Sequence, residues 1–283
     1  MTKQKIEIKC CPLCKSQQYK IAGNIDINHL IGLWLEKWEF NPIWDCYTNE
    51  KLERRKCVGC GLYWYNYHLP DSEEMYKRME DTGRYYPQYR TTYGVMREML
   101  LKLKPQTLLE IGSGNGAFIK HIDGIVPSII GSEYNKDIAK KCRDMGMNIT
   151  MKNIDEINET FDIVCHHEVF EHVRDTHTFF KQNIRLMKCG GKLIIGCPDP
   201  ESLLVIVGNG ECHHPPHHQY AFSRQTFNWL ANRYELKITD YQKTEISERQ
   251  YQKYLAKTGE SISIEKLRKK YTGHSHVVVF EKL

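Results

Sequence analysis

The sequence predicts an α/β protein with a small metal-bound module at its N-terminal end, and three observations predict it. An apolar run from Thr107 to Ile111 passes through Gly112-Ser113-Gly114-Asn115-Gly116 into a helical pattern at Ala117, the strand–loop–helix order of an open α/β sheet. Further strand-like segments, ETFDIVCHH, KCGGKLIIGC and HSHVVVFEKL, recur between helical patterns along the rest of the chain. Four of the 11 cysteines fall in two C-x2-C pairs, Cys11/Cys14 and Cys57/Cys60, a spacing that suits tetrahedral structural zinc.

Composition narrows the class. Hydrophobic content of 41% over 283 residues supports one large core plus a satellite module, and 27% charge with 11% aromatics is neither disordered nor collagenous. No stretch approaches the roughly 18 apolar residues of a membrane span, and the start MTKQKIEIKCC has no hydrophobic signal core. Neither membrane insertion nor secretion is expected. An odd cysteine count fits a reducing, cytoplasmic setting. A net charge of +5 is too small to make nucleic-acid binding the first expectation.

From the N-terminus onward, each C-x2-C pair makes a tight turn whose amides face its thiolates, and Gly61 suits the positive φ that such a knuckle needs. Four thiolates leave no open position, so zinc on Cys11, Cys14, Cys57 and Cys60 is structural rather than catalytic. Cys10 falls outside the spacing. Between the pairs, HLIGLWLEKWEF reads as an inserted amphipathic helix. Residues 1–70 are thus a zinc-ribbon module with an inserted helix, and 71–283 the main domain. Asp71 or Ser72 caps the next helix, with Glu73 and Glu74 in its first turn. A following helix places Val95, Met99 and Leu103 on one face, and Tyr85-Tyr86-Pro87 between the two is a loop or lid candidate. Toward the end, residues 247–270 are basic and helical in pattern, a solvated helix or a lid within an insertion at about 246–272.

The glycine loop alone also satisfies the loose dinucleotide pattern. Two carboxylates sharpen it. Glu110 stands two residues before Gly112, where a ligand's ammonium group would need a counter-charge. Glu133 comes 21 residues after Gly112, the spacing of an acid that binds ribose hydroxyls. This constellation resembles the class I S-adenosylmethionine-dependent methyltransferases, whose first motif is an acid followed by G-x-G-x-G. The resemblance runs from about residue 72 to the end: ETFDIVCHHEVFEH resembles the family's fourth strand and its turn, KCGGKLIIGCPDP the fifth strand, and HSHVVVFEKL the seventh. It implies a Rossmann-like seven-stranded methyltransferase sheet and S-adenosylmethionine as cofactor. The cysteine pairs resemble the zinc-ribbon extension of some small-molecule methyltransferases. Carried over by position, Glu110, Gly112 and Gly114 hold the methionine moiety, Ser113 and Gly116 complete the loop, and Glu133 takes the ribose diol with Tyr134 beside it. Asp155 lies where the family contacts adenine, or is a solvated loop acid. His166 lies beside the sulfur, and Tyr86 and Arg90 cover the cofactor carboxylate.

Methyl transfer from a sulfonium is an in-line displacement, so positioning the acceptor and taking its proton are the protein's tasks. Three histidine-bearing segments are available. His166 and His167 end the fourth strand, His172 closes an E-x-x-E-H turn, and His213, His214, His217 and His218 lie in ECHHPPHHQYAF. That last run follows the fifth strand, on the edge where open α/β sheets bind substrates. It resembles the substrate-side loop of methyltransferases that modify sugars, polysaccharides and natural products. Spaced i, i+3 and i+4 on a helix start, Glu168, Glu171 and His172 share one face. The catalytic candidates are His167, His172, His217 and His218. In one arrangement a neutral histidine accepts the acceptor's proton. In the other, Glu168, Glu171, His172 and His218 hold a divalent cation such as magnesium, manganese or zinc. The structural alternative is that Glu171 caps a helix and His172 packs beneath the loop. The first expectation is O-methylation of a small molecule, sugar or glycan. The E-x-x-E-H turn with a distant histidine also resembles metal-dependent RNA ribose 2′-O-methyltransferases. A non-catalytic methyltransferase-fold binding module is a third reading, against which the intact loop 110–116 and Glu133 argue.

Overall fold

The computed structural model describes residues 5–208 and 210–283. Its centre is a sheet of β1 (Thr107–Ile111), β2 (Ser128–Ser132), β3 (Ile149–Thr150), β4 (Phe161–His167), β5 (Met187–Pro198), β6 (Leu236–Lys243) and β7 (Ser275–Lys282). Across the sheet they run β6-β7-β5-β4-β1-β2-β3. Pairings from β5 to β3 are parallel, while β7 is antiparallel to both β5 and β6. Strand order reverses between β1 and β4, and ligands of open α/β sheets enter beyond the carboxyl ends at such a point. Glu110, the glycine loop, His166 and His167 all lie there.

Two cores cover the two faces. Leu109, Ile111, Val164 and Ile195 pack with Phe180, Phe227 and Leu230 of the helices Thr176–Arg185 and Arg224–Arg233. Leu108, Ile163, Cys165 and Ile194 pack with Met96, Leu100 and Phe118 on the other side. The helix Thr91–Leu103 buries Tyr93, Met96, Met99 and Leu100, whereas Leu103 is 37% exposed. The Val95–Met99–Leu103 face expected from sequence is therefore rotated: steps of four drift by about 40° on a helix with 3.6 residues per turn, and a 93-96-100 stripe stays on the sheet.

The cysteine pairs open and close an antiparallel sheet ordered Tyr220–Ala221, Tyr63–Tyr65, Lys51–Cys57 and Tyr19–Asp26. Its first strand comes from far down the chain, immediately after His217 and His218. The inserted helix Ile27–Trp38 is capped by Asp26, whose carboxylate accepts from the Asn28 and His29 amides. It shares a satellite core with the helix Glu73–Asp81, built on Trp34, Trp38, Phe40, Met75 and Met79. That second helix is capped by Ser72, one of the two caps anticipated. The helices Glu248–Thr258 and Ile264–Lys270 lie between β6 and β7 and bury Tyr254 and Leu267 against Leu203. Among the described residues no helix is long and apolar enough to cross a membrane.

Candidate active site and metal sites

The glycine loop is shaped by backbone conformation first. Gly112, Gly114 and Gly116 have φ of 68°, 51° and 72°, the left-handed region where a Cβ is strained. Space also excludes one: a Cβ on Gly112 would lie 2.7 Å from a Val169 methyl carbon, and one on Gly114 2.9 Å from the Tyr86 ring. Glu133 braces the loop from below. Its Oε2 accepts from the Gly114 amide and its Oε1 from the Asn135 amide, both at 2.8 Å. The Tyr134 hydroxyl accepts from the Ile154 amide at 3.2 Å, beside the exposed Asp155. Glu110 is 2% exposed, and its Oε2 has no hydrogen-bond partner among the described residues. Burial, with Glu133 nearby, holds its carboxyl well above the usual range. A cationic ligand group reverses that cost, so these residues fit a cofactor carrying an ammonium group and a ribose.

Tyr85 and Tyr86, with ring centroids 4.8 Å apart, join this loop to the histidines. Tyr86 lies against Gly114, and the Tyr85 hydroxyl is 3.2 Å from His217 Nε2. The His217 Nδ1–H donates to the Cys212 carbonyl at 3.0 Å, so its Nε2 accepts from Tyr85. The His172 Nδ1–H donates to the His217 carbonyl at 2.8 Å, which leaves the lone pair on Nε2. The rings of His172, His217 and His218 lie within 4.7 Å of one another. Burial pushes all three pKa values down, keeping the rings neutral near pH 7.

The E-x-x-E-H segment departs from the expected helix start. Phe170–His172 is a single 3-10 turn, and Glu168 has φ of 52°. The three side chains therefore do not share one helix face. Glu168 and Glu171 group with His218, while His172 groups with His217 and His218; in each trio the ligand atoms lie within 4.8 Å of one another. Glu171 caps nothing: it is 1% exposed, neither carboxylate oxygen has a hydrogen-bond partner among the described residues, and Oε1 stands 3.9 Å from His218 Nε2. Burial and the neighbouring Glu168 raise its pKa well above the usual range. Arg90, expected at the cofactor carboxylate, stands 3.7 Å from Glu168.

The strand-end histidines stand apart from this cluster. Side chains alternate along β4, so His166 and His167 face opposite sides of the sheet. His167 packs between Tyr93 and Phe118, 3.4 Å from the Thr92 hydroxyl. His166 lies against Phe170 and Phe179 with both nitrogens unpartnered, its pKa pushed down to about 3 by burial.

At the ribbon, Cys11 and Cys60 sulfurs are 3.5 Å apart, Cys14 and Cys57 sulfurs 3.3 Å apart, and all four lie within 4.8 Å. A tetrahedral zinc with bonds of about 2.3 Å requires sulfurs separated by roughly 3.8 Å, so the four thiols fit the ion. Each knuckle ends in a left-handed residue, Lys15 at φ 62° and Gly61 at φ 75°. Gly61 alone was legible as such. The sequence also gave no signal for Tyr76, Thr92 or Ser275, whose hydroxyls lie at His172, His167 and Glu168; ordinary packing residues carry no spacing pattern.

Residues 85–241 match the model of a methyltransferase domain. This is more than half of the chain, and the protein belongs to that family. Its sheet order is that of the class I S-adenosylmethionine-dependent methyltransferases. A S-adenosylmethionine-dependent methyltransferase from Mesorhizobium loti shares the fold, with a TM-score of 0.50 and 12% identity over 68% of this chain and 98% of that one. An uncharacterized protein of Methanocaldococcus jannaschii is 30% identical over 99 residues, 34% of this chain and 46% of its own length. The ubiquinone biosynthesis O-methyltransferase of Rhizobium etli is 31% identical over 97 residues, 31% of this chain and 39% of its own. The matched segments span less than half the length of these curated relatives.

Proposed function

We propose that the protein transfers a methyl group from S-adenosylmethionine to a hydroxyl of a small molecule, sugar or glycan, in the cytoplasm. The observation that carries the cofactor is the buried Glu110 carboxyl, whose Oε2 has no hydrogen-bond partner among the described residues, beneath a glycine loop braced by Glu133. When bound, the cofactor supplies an electrophilic methyl on a sulfonium. Glu110 balances its ammonium, Glu133 receives its ribose diol, and Tyr86 closes over the loop. Tyr134 and Asp155 flank the adenine position.

The histidine and glutamate cluster handles the acceptor. His172 Nε2, a neutral lone pair with its tautomer fixed by the His217 carbonyl, takes the hydroxyl proton. The unpartnered Glu171, with Glu168 and His218, fits a divalent cation, which when bound lowers the pKa of a hydroxyl. Zinc on Cys11, Cys14, Cys57 and Cys60 holds the ribbon together. The same cluster keeps RNA ribose methylation as the second reading, since Glu168, Glu171 and His218 suit that chemistry equally.

Calorimetry with S-adenosylmethionine, followed by turnover of labelled methyl with and without a chelator, tests both parts. The reading requires cofactor binding; NADH binding more tightly would overturn it. Turnover lost to the chelator and restored by added metal supports the cation, whereas indifference assigns the step to the histidine alone.

A further inference from the structure

Resting on the reading of His172 as the proton acceptor in methyl transfer, we propose that Tyr76, backed by Asp71, is its positioning residue. Tyr76 lies in the helix Glu73–Asp81, 96 residues before the histidine it meets. Three hydrogen bonds form one chain. The Tyr76 hydroxyl is 3.1 Å from Asp71 Oδ2 and 3.3 Å from His172 Nδ1, and that Nδ1 is 2.8 Å from the His217 carbonyl. A phenol has one proton and a carboxylate only accepts, so the Tyr76 O–H donates to Asp71. The phenol oxygen is then an acceptor, and the His172 Nδ1–H is shared between it and the His217 carbonyl. Both acceptors require the proton on Nδ1, which leaves the lone pair on Nε2.

Tyr76 adds what the His217 carbonyl lacks: an anchor outside the histidine loop and a full negative charge behind it. The helix is capped by Ser72 and rooted through Met75 and Met79 in the satellite core. One turn on, Glu80 Oε2 accepts from Asn135 Nδ2 at 2.8 Å, and the Asn135 amide donates to Glu133. Residues four apart share a helix face, so one face reaches both the brace of the glycine loop and the proton acceptor. The Tyr76 ring also packs among its neighbours, its centroid 6.2 Å from His172, 5.9 Å from His217 and 6.0 Å from Tyr85. When the hydroxyl's proton arrives on Nε2, the imidazolium donates from Nδ1 more strongly. The Asp71 charge, relayed by the Tyr76 O–H dipole, meets that positive charge. No proton moves along the chain.

Tyr76→Phe removes the hydroxyl and keeps the ring, so it breaks the chain without opening a cavity. NMR of protein with isotope-labelled histidine, with His172 assigned by its loss in His172→Ala, should show the wild-type proton on Nδ1 and none on Nε2. Tyr76→Phe should move the Nδ1–H signal upfield and speed its exchange with water about five-fold, the scale of one lost hydrogen bond. Asp71→Asn, whose amide oxygen still accepts from the hydroxyl, should give a smaller change, and adding it to Tyr76→Phe should change nothing more. In the labelled-methyl assay Tyr76→Phe should lower kcat about ten-fold, the scale of a lost bond to a charged group, with KM and cofactor affinity unchanged. An unmoved Nδ1–H signal in Tyr76→Phe, additive effects of the two substitutions, or a change in KM alone would overturn the proposal. If the NMR response appears but His172→Ala keeps wild-type turnover, the failure belongs to His172 as proton acceptor and not to the chain that orients it.

Discussion

Glu133→Ala separates the two tasks assigned to one carboxylate. In the free protein Glu133 accepts from the Gly114 and Asn135 amides at 2.8 Å each. Gly114 is buried, so its N–H finds no water when the acceptor goes; hydrogen bonds to charged groups contribute about 1.5–3 kcal/mol. Asn135 is partly exposed, and solvent replaces much of the second bond. The stability loss expected is therefore about 2 kcal/mol rather than the sum of two full bonds. The cofactor loses in addition the partner of its ribose diol, another roughly 1–3 kcal/mol, or about 5- to 150-fold in Kd. Glu133→Gln divides these effects: the amide oxygen still accepts one N–H, but its NH2 faces the other donor, so affinity falls while much of the stability remains. Calorimetry with S-adenosylmethionine and denaturant melts of all three proteins provide the measurements. Unchanged affinity in both variants would place the ribose elsewhere. Unchanged stability in Glu133→Ala would refute the bracing of the loop.

Three further outcomes are expected. Metal analysis should find one zinc in the wild-type protein and none in Cys57→Ser, which should also be destabilised by several kcal/mol, as structural sites supply folding energy directly; turnover should fall further than cofactor affinity. His172→Ala and His218→Ala should each reduce turnover by about 10²-fold or more with cofactor affinity intact, and near-wild-type rates in both would move the reacting hydroxyl away from the cluster. Asp162 ties β4 to β1 and β5: it accepts from the Thr107 amide at 2.9 Å and pairs with Lys188 at 2.8 Å. Lys188, ahead of the Thr107 and Gln106 contacts, holds its pKa down at about 2. A carboxyl depressed on folding stabilises above its unfolded value and loses that contribution as pH falls from about 4 to about 2. Acid titration of Asp162→Asn against wild type should show a stability gap that closes over that window.

What was legible in the sequence was local. The glycine loop is read from φ-demanding residues next to a strand, and the cysteine knuckles from fixed ligand spacing. The inserted helix was legible from the amphipathic pattern of HLIGLWLEKWEF, which buries Leu30, Trp34 and Trp38; its start at Ile27 and cap in Asp26 were not. The site was legible in its residue types but less in its arrangement. Glu168, Glu171 and His218 do converge, yet the left-handed Glu168 replaced an assumed helix and put His172 with His217 instead. His166 and His167 were read together at the strand end, but adjacent strand residues face opposite sides of the sheet, so the two rings lie in different surroundings. Lys56 pairs with Glu201 across 145 residues, and pairing at that separation is invisible in a linear pattern.

The same long-range pairing explains why the N-terminal cysteine module would matter to chemistry at the far edge of the sheet. The histidine loop is held almost residue by residue from the module and the residues just after it. Trp38 Nε1 donates to Glu211 at 2.8 Å and Lys37 pairs with the same carboxylate. The Tyr65 hydroxyl meets His214 at 2.7 Å, Gln219 Nε2 donates to the Leu69 carbonyl at 2.7 Å, and Tyr220 pairs in register with Trp64. These anchors bracket His217 and His218, whereas the glycine loop has its braces in β2 and beyond. Loss of the proposed zinc would loosen Cys57 and Cys60, which flank the strands carrying Trp64 and Tyr65, and so should displace the histidines before it disturbs Glu133 or Gly114. That is the physical reason turnover should respond to the ribbon more strongly than cofactor affinity.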